Sequence, residues 1–254
     1  MAENKTVKAC LLIVGDEVLS GRTKDANLQF LGMELNEIGI RMSEARVIPD
    51  DEDVIVTTIN EVRAKYDYVF TTGGIGPTHD DITAACVAKA FGVELHHHPE
   101  AVKIFHASYP PESLNETRWK MAETPVGADI IENPVSTPPG FKMENVYVMA
   151  GIPRVMQGMF GMFKHRLQGG DKLLSRTIPT YAKEGDMGKS LKLLQNKHPD
   201  VEIGSYPFFR DGGGTGMRVA LRHPDMTRID EVAEEVIALI RQLGEGVVDE
   251  GDGA

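Results

Sequence analysis

The sequence predicts a two-part chain. A three-layer α/β domain, with a mainly parallel sheet and helices on both faces, is followed by a small α+β unit. Three observations predict this. Apolar runs of strand length alternate with amphipathic runs of helix length through residues 7–167, as right-handed crossovers between parallel strands require. Two of the strands run into glycine-containing acidic turns, where open α/β sheets bind ligands. After the linker Gln168-Gly169-Gly170-Asp171 the order changes to strand, helix, strand, strand, helix. The expected units are residues 1–170 and 171–246, with an acidic, glycine-rich tail at 247–254 expected to be flexible.

Residues 7–14 form an apolar run suited to a strand buried on both faces. The run ends in Gly15-Asp16-Glu17-Val18-Leu19-Ser20-Gly21, read as a loop that sets Asp16 and Glu17 at the sheet's C-terminal edge. Residues 25–39 carry Leu28, Leu31, Leu35 and Ile38 at helical spacing, with Asn27 in the first turn and Gly39 as C-cap. Residues 40–48 read as a strand. Pro49-Asp50-Asp51 then opens a helix, with Asp50 suited to its N-cap. Residues 66–70 are a third buried strand.

That strand leads into Thr71-Thr72-Gly73-Gly74-Ile75-Gly76-Pro77-Thr78-His79-Asp80-Asp81-Ile82-Thr83 and a helix. Gly73, Gly74 and Gly76 allow a close backbone approach, and their N–H groups together with the helix end favour an anion. Thr78 with Asp81 is spaced as a capping box. Asp80 and Asp81 would repel a phosphate unless a hard cation such as Mg²⁺ lay between them. A tight turn with an acidic helix cap is the structural alternative.

Residues 93–95 suggest a short strand, and His96-His97-His98 a surface loop, since alternating side chains cannot all face one metal. Residues 99–107 and 114–122 look helical, and 128–132 and 146–149 look like strands. Between those two strands, Asn133-Pro134-Val135-Ser136-Thr137-Pro138-Pro139-Gly140-Phe141 reads as a stiff loop whose Ser136 and Thr137 hydroxyls could meet a ligand oxygen. Ala150-Gly151-Ile152-Pro153 starts the last helix of the domain.

The glycine stretch resembles the TTGG-x-GPT-x-DD-x-T signature of the molybdopterin-binding fold. That fold occurs in molybdenum-cofactor biosynthesis proteins and in the N-terminal domains of CinA-type competence-damage proteins and eukaryotic FAD synthases. The Gly-Pro-Thr-His-Asp-Asp form is closest to the last two. Residues 15–21 resemble the family's G-D-E-x-L-x-G, and Asn27 and Asp50 stand where the family has Asn and an acid. Asn115, Arg118, Lys120 and Met121-Ala122 resemble N-R-x-Q-A, with Lys120 in place of Gln; Arg118 or Lys120 could pair a phosphate. Residues 133–141 resemble N-P-x-G-T-A-P-G-F, with Ser136 for Gly and Pro138 for Ala, and 150–153 resemble P-G-x-P.

The resemblance implies a metal-dependent pyrophosphatase acting on an ADP-ribose- or FAD-like dinucleotide. Asp80, Asp81 and His79 would be catalytic, His79 as a base by position alone. Asp80, Asp81, Asp16 and Glu17 would hold Mg²⁺, another divalent cation or K⁺. Thr72, Gly73, Gly74, Gly76, Thr78, Gly15, Ser20, Gly21, Asn27, Asp50, Ser136, Thr137, Gly140 and Gly151 would hold the ligand. The same cradle would serve a molybdopterin-binding or adenylylating protein, or a catalytically silent nucleotide-binding module. The second unit resembles the KH-like segment of CinA-type proteins. The amidohydrolase domain common in that family has no counterpart in these 254 residues, and its activity is not carried over.

Composition sets the partners. A net charge of −11 disfavours nucleic acid and anionic membranes. The second unit carries 11 Lys and Arg against 15 Asp and Glu, so its Gly185-Asp186-Met187-Gly188 is a poor KH loop for RNA. Gly188-Lys189-Ser190 lacks the first glycine of a phosphate loop, because Lys183 stands there. Asp211-Gly212-Gly213-Gly214-Thr215-Gly216 is read as a hairpin loop. Two cysteines, Cys10 and Cys86, form no disulfide framework, the polar start has no signal-peptide core, and no run reaches membrane-spanning length. The expectation is a cytoplasmic homo-oligomer that binds a small nucleotide or pterin, with its chemistry in residues 1–170.

Overall fold

The computed structural model describes residues 6–209 and 215–248. Arg210, residues 211–214 of the expected hairpin loop, and the expected tail from 249 therefore lie outside the described residues. The chain divides into two compact units, residues 1–171 and 172–254.

The first unit runs β1 (Val7–Val14), α1 (Asp16–Leu19), α2 (Asn27–Glu37), β2 (Ile40–Ile48), α3 (Glu52–Lys65), β3 (Tyr68–Thr72), α4 (Thr83–Phe91) and β4 (Leu95–His97). It continues with α5 (Pro99–Ser108), α6 (Glu116–Lys120), β5 (Glu123–Pro125), β6 (Asp129–Ile131), β7 (Gly140–Met143), β8 (Val146–Met149) and α7 (Pro153–Phe163). The central sheet has the order β2-β1-β3-β8-β7-β6. Strands β2, β1, β3 and β8 are parallel, and β7 is antiparallel to both its neighbours.

Side-chain alternation along β1 builds the three layers. Ala9, Leu11 and Ile13 pack with Leu31 and Leu35 of α2 and with Met156, Met159, Phe160 and Phe163 of α7. Cys10, Leu12 and Val14 pack with Ile55, Ile59 and Val62 of α3 and with Cys86, Val87 and Ala90 of α4. A strand with apolar residues on both sides is the signature of a sheet covered twice. Both cysteines are free, and burial pushes their thiols up to about 11, so they act as core residues.

Asp51, rather than Asp50, caps α3: its carboxylate accepts the Val54 N–H at 3.0 Å. Asp51→Ala is expected to cost about 1 kcal/mol, read as a fall in melting temperature of roughly 2–4 °C. Three other expectations change. The stiff loop at 133–141 ends inside β7, because Gly140 opposes Ile131 and lets the Val148 carbonyl approach within 2.4 Å of where a Cβ would stand. His96 and His97 pair with β5 as part of a strand, and the Nδ1 of His98 accepts the Glu100 N–H at the head of α5. The helix expected at 114–122 is the short α6.

The second unit runs β9 (Leu174–Thr180), α8 (Glu184–Lys197), β10 (Glu202–Phe209), β11 (Thr215–His223) and α9 (Met226–Gln242), an antiparallel sheet of order β10-β11-β9 with a core that includes Met187, Leu191, Val219, Leu221, Ile229 and Val236. Gly185 and Gly188 lie inside α8, so neither glycine motif there is a loop. The start of the expected tail is ordered: Val247 bridges Thr180, and the Val248 N–H donates to Pro179, because β9 is an edge strand with backbone groups to satisfy. Among the described residues no helix is long and apolar enough to cross a membrane.

Candidate functional site

Strands β1, β2 and β3 are parallel neighbours, so the turns that follow them share one edge of the sheet. The first two turns are joined. The Gly15 N–H donates to Ile48 at 3.1 Å, and the Asp16 N–H donates to the Asp50 carboxylate at 3.0 Å. Asp50 is thus a link between turns instead of a helix cap. Partial burial pushes its carboxyl above the usual range, and the charges of Asp16, Glu17 and Asp80 push it further, against the pull of the Asp16 N–H. The residues after β1 form the one-turn helix α1, not an open loop.

The third turn holds two left-handed glycines, Gly73 at φ 102° and Gly74 at φ 68°. A Cβ on Gly73 would stand 2.1 Å from the Val14 carbonyl oxygen, and one on Gly74 would stand 2.1 Å from the Thr83 hydroxyl. The Gly73 N–H donates to Met149 at 3.2 Å, while Thr83 donates its hydroxyl to Gly73 and its N–H to Gly74.

Asp81 folds back onto this turn. It accepts the Gly76 N–H at 2.7 Å, the Thr78 N–H at 2.8 Å and the Thr78 hydroxyl. The expected capping box does not form: α4 starts at Thr83, and its N-cap, Ile82, offers no side chain. Two assignments are corrected by this geometry. Asp81 is first a staple of the turn: its oxygens already accept three N–H or O–H groups, out of the carboxylate's roughly four lone-pair sites. The amides of Gly73 and Gly76 are spent inside the protein. Those of Gly74, Ile75, Ala84 and Ala85 have no acceptor among the described residues, and these four residues line a cleft of about 460 Å³ with Asp81, Lys120, Glu123 and Phe141. The uncapped helix start is the sequence signal for Ala84 and Ala85: no Ser, Thr, Asn or Asp side chain covers those amides.

Asp80 is exposed and held below the usual carboxylate range, chiefly by the Thr78 hydroxyl. That hydroxyl has one proton, and its hydrogen bond goes to Asp81, so the two carboxylates compete for it. His79 is 98% exposed, with Nδ1 3.9 Å from Asp80. Like Asp80, it lines neither cleft at this edge of the sheet.

A second cleft, of about 330 Å³, lies on the α2 and α7 side and is lined by Glu17, Asn27, Thr72 and Gly151 among others. Asn27 donates its amide to the Gly151 carbonyl at 2.8 Å. Its Oδ1 and the hydroxyls of Thr71 and Thr72 are buried without a partner among the described residues. The remaining residues stand apart. Ser20 and Gly21 are exposed on the turn after α1 and line neither cleft. Ser136 and Thr137 belong to a turn closed by the Asn133 side chain and line neither cleft. Gly15 is tight against the Glu17 carboxylate, and Gly140 serves strand pairing.

Among the described residues no group of three or more His, Cys, Asp or Glu side chains is gathered tightly enough to hold a metal alone. The donors available on this edge, Asp16, Asp50 and Asp80, are carboxylates, an oxygen set that suits a hard divalent cation whose other ligands are phosphate oxygens and water.

Residues 10–169 match the family model described as "Probable molybdopterin binding domain". The chain belongs to this family. Residues 172–249 match the middle domain of FAD synthase. The CinA protein of Thermoplasma acidophilum has a solved structure that is 32% identical, covers 63% of this chain and 98% of its own, and superposes with a TM-score of 0.60. A CinA-like protein of Desulfosudis oleivorans is 31% identical over 93% of this chain and 60% of its own length. A "Probable FAD synthase" of Caenorhabditis elegans is 31% identical over 96% of this chain, which spans half of that protein. The molybdopterin-binding fold, the CinA-type relationship and the small C-terminal α+β unit therefore stand together.

Proposed function

We propose that the chain is a metal-dependent pyrophosphatase that cleaves an ADP-ribose- or FAD-like dinucleotide. The observation that carries this reading is the glycine turn and uncapped helix that present unspent N–H groups, on the same sheet edge as an Asp50 carboxyl pushed up by partial burial and, to a lesser degree, by the charges of Asp16, Glu17 and Asp80. Carboxylates alone would repel a diphosphate, and amides alone would not need carboxylates nearby. Together they match the two ends of a cation–diphosphate unit. The relative named as a probable FAD synthase supports a nucleotide ligand.

The chain's own groups divide the work. The amides of Gly74, Ile75, Ala84 and Ala85 hold non-bridging oxygens, where charge persists in the transition state. Asp50, with its carboxyl pushed up, and Asp80, with its carboxyl held down, are the carboxylates that would hold a cation, and Asp81 keeps the turn in shape. A divalent cation bound there would neutralise the diphosphate and lower the pKa of a water. The cradle would equally hold a pterin's phosphate, a reading supported by the first family model.

A panel of dinucleotides and nucleoside diphosphates, assayed for phosphate release or bond cleavage with Mg²⁺, Mn²⁺, Co²⁺ and K⁺, tests the proposal. Cleavage between the two phosphorus atoms that stops on chelation is expected. Turnover that survives exhaustive chelation, or binding without any turnover, would remove the assignment.

A further inference from the structure

The cleft at the glycine turn is walled on one side by a small cluster of its own. Ala101, Phe105 and Ala122 are its buried centre, with Trp119 and Tyr109 packed against them. The indole of Trp119 stacks on Phe105 at 5.9 Å and meets His106 edge-on at 5.3 Å. Asn115 caps α6 by accepting the Arg118 N–H at 3.0 Å. This packing fixes the backbone of α6 and so fixes where its side chains depart.

Two cations leave α6, and they go to different places. The Arg118 guanidinium turns back onto the Ser113 carbonyl and lies over the Tyr109 ring, 4.9 Å from its centre. One of its donors is spent on Ser113. The Lys120 ammonium crosses to the glycine turn and donates to the Thr78 carbonyl. It is the cationic side chain among the residues lining the cleft, where Asp81 and Glu123 are the acids. Glu123 lies near the imidazole of His97, at 3.7 Å.

We propose that Lys120 is a binding residue for the ligand's phosphates: its ammonium, held at the mouth of the Gly74–Gly76 turn, takes an oxygen of a nucleoside diphosphate or dinucleotide. The inference rests on the reading of this cleft as the diphosphate site. An ammonium carries three donors, and Thr78 uses one. The other two are left for a ligand in the cleft that Lys120 lines together with Gly74, Ile75, Ala84 and Ala85. The nearest carboxylates would raise the energy of an entering anion, and Lys120 offsets them. A neutral amide at this position, as in the resembling motif, would supply a hydrogen bond without the charge.

Trp119 is the single tryptophan of the chain and adjoins Lys120, so its emission reports on this wall without any need for turnover. The test uses the full chain and its Lys120→Met and Lys120→Arg variants, with folding checked by circular dichroism. ADP, inorganic pyrophosphate and adenosine are titrated by Trp119 fluorescence and by calorimetry. Lys120→Met should weaken ADP and pyrophosphate by about 10-fold or more, Lys120→Arg by much less, and adenosine by neither. Unchanged ADP affinity in Lys120→Met, or equal losses for ADP and adenosine, would overturn the proposal. Absence of dinucleotide cleavage alongside a Lys120-dependent ADP affinity would refute the pyrophosphatase alone.

Discussion

Gly73→Ala is expected to lower the melting temperature by roughly 10 °C and to abolish ligand binding. Two costs add. A left-handed backbone at φ 102° is strained for any residue with a Cβ, by about 1–3 kcal/mol. The new methyl would also stand 2.1 Å from the Val14 carbonyl oxygen. That neighbour is backbone of the central strand and cannot swing away, so overpacking adds about 1–3 kcal/mol. A sum of about 2–6 kcal/mol, at roughly 2–4 °C per kcal/mol, is centred near the expected shift. Gly21 supplies the control. Its φ is 73°, yet nothing lies within 4 Å of its Cβ position. Gly21→Ala should therefore lose only the backbone cost, about 1 kcal/mol. Differential scanning calorimetry of both variants decides the matter, and equal losses would show that the contact with Val14 does not shape the turn.

Asp50→Asn is expected to gain stability while losing turnover by roughly 100-fold. An amide keeps an oxygen for the Asp16 N–H, so the link between the first two turns survives. The carboxyl is pushed above its usual value of 3.8 by burial and by neighbouring charge. A raised pKa means that the folded state disfavours the ionised form. The penalty is absent below the unfolded-state value and is fully present once pH has risen through the folded-state value. The variant should thus melt with the parent protein near pH 3 and above it at pH 7. A fall in stability at pH 7, or unchanged activity, would contradict the role given to Asp50. Stability withheld by unpaired charge is common where a site is built for a ligand absent from the folded chain alone.

The layers were legible in the sequence because periodicity records burial. The run from Val7 to Val14 is apolar on both faces, and the structure covers both. The order of the second unit was equally readable from its alternating runs. The glycine motif announced the turn, since left-handed backbone admits few other residues. The sequence did not reveal which groups the turn would use on itself. Asp81 follows Thr78 at the spacing of a capping box, but its carboxylate reaches back to Gly76, and the helix begins two residues later. Spacing gives the reach of a side chain, not its direction. The strand β7 was hidden because Gly140 and a run of prolines look like a loop until the carbonyl of Val148 needs room. The parting of Arg118 from Lys120 depends on Tyr109, Phe105 and Trp119, which only the packed cluster brings together.

The central claim is that a cation and a diphosphate meet at the edge formed by β1, β2 and β3. It is tested most directly by anomalous scattering from crystals of the full chain grown with Mn²⁺ and a non-cleavable ADP-ribose analogue. The account predicts an anomalous peak bound by the carboxylates of Asp50 and Asp80, with the diphosphate bridging from it to the amides of Gly74 and Ile75. An analogue bound away from the glycine turn, or seated there with no anomalous peak beside Asp50 and Asp80, would contradict it.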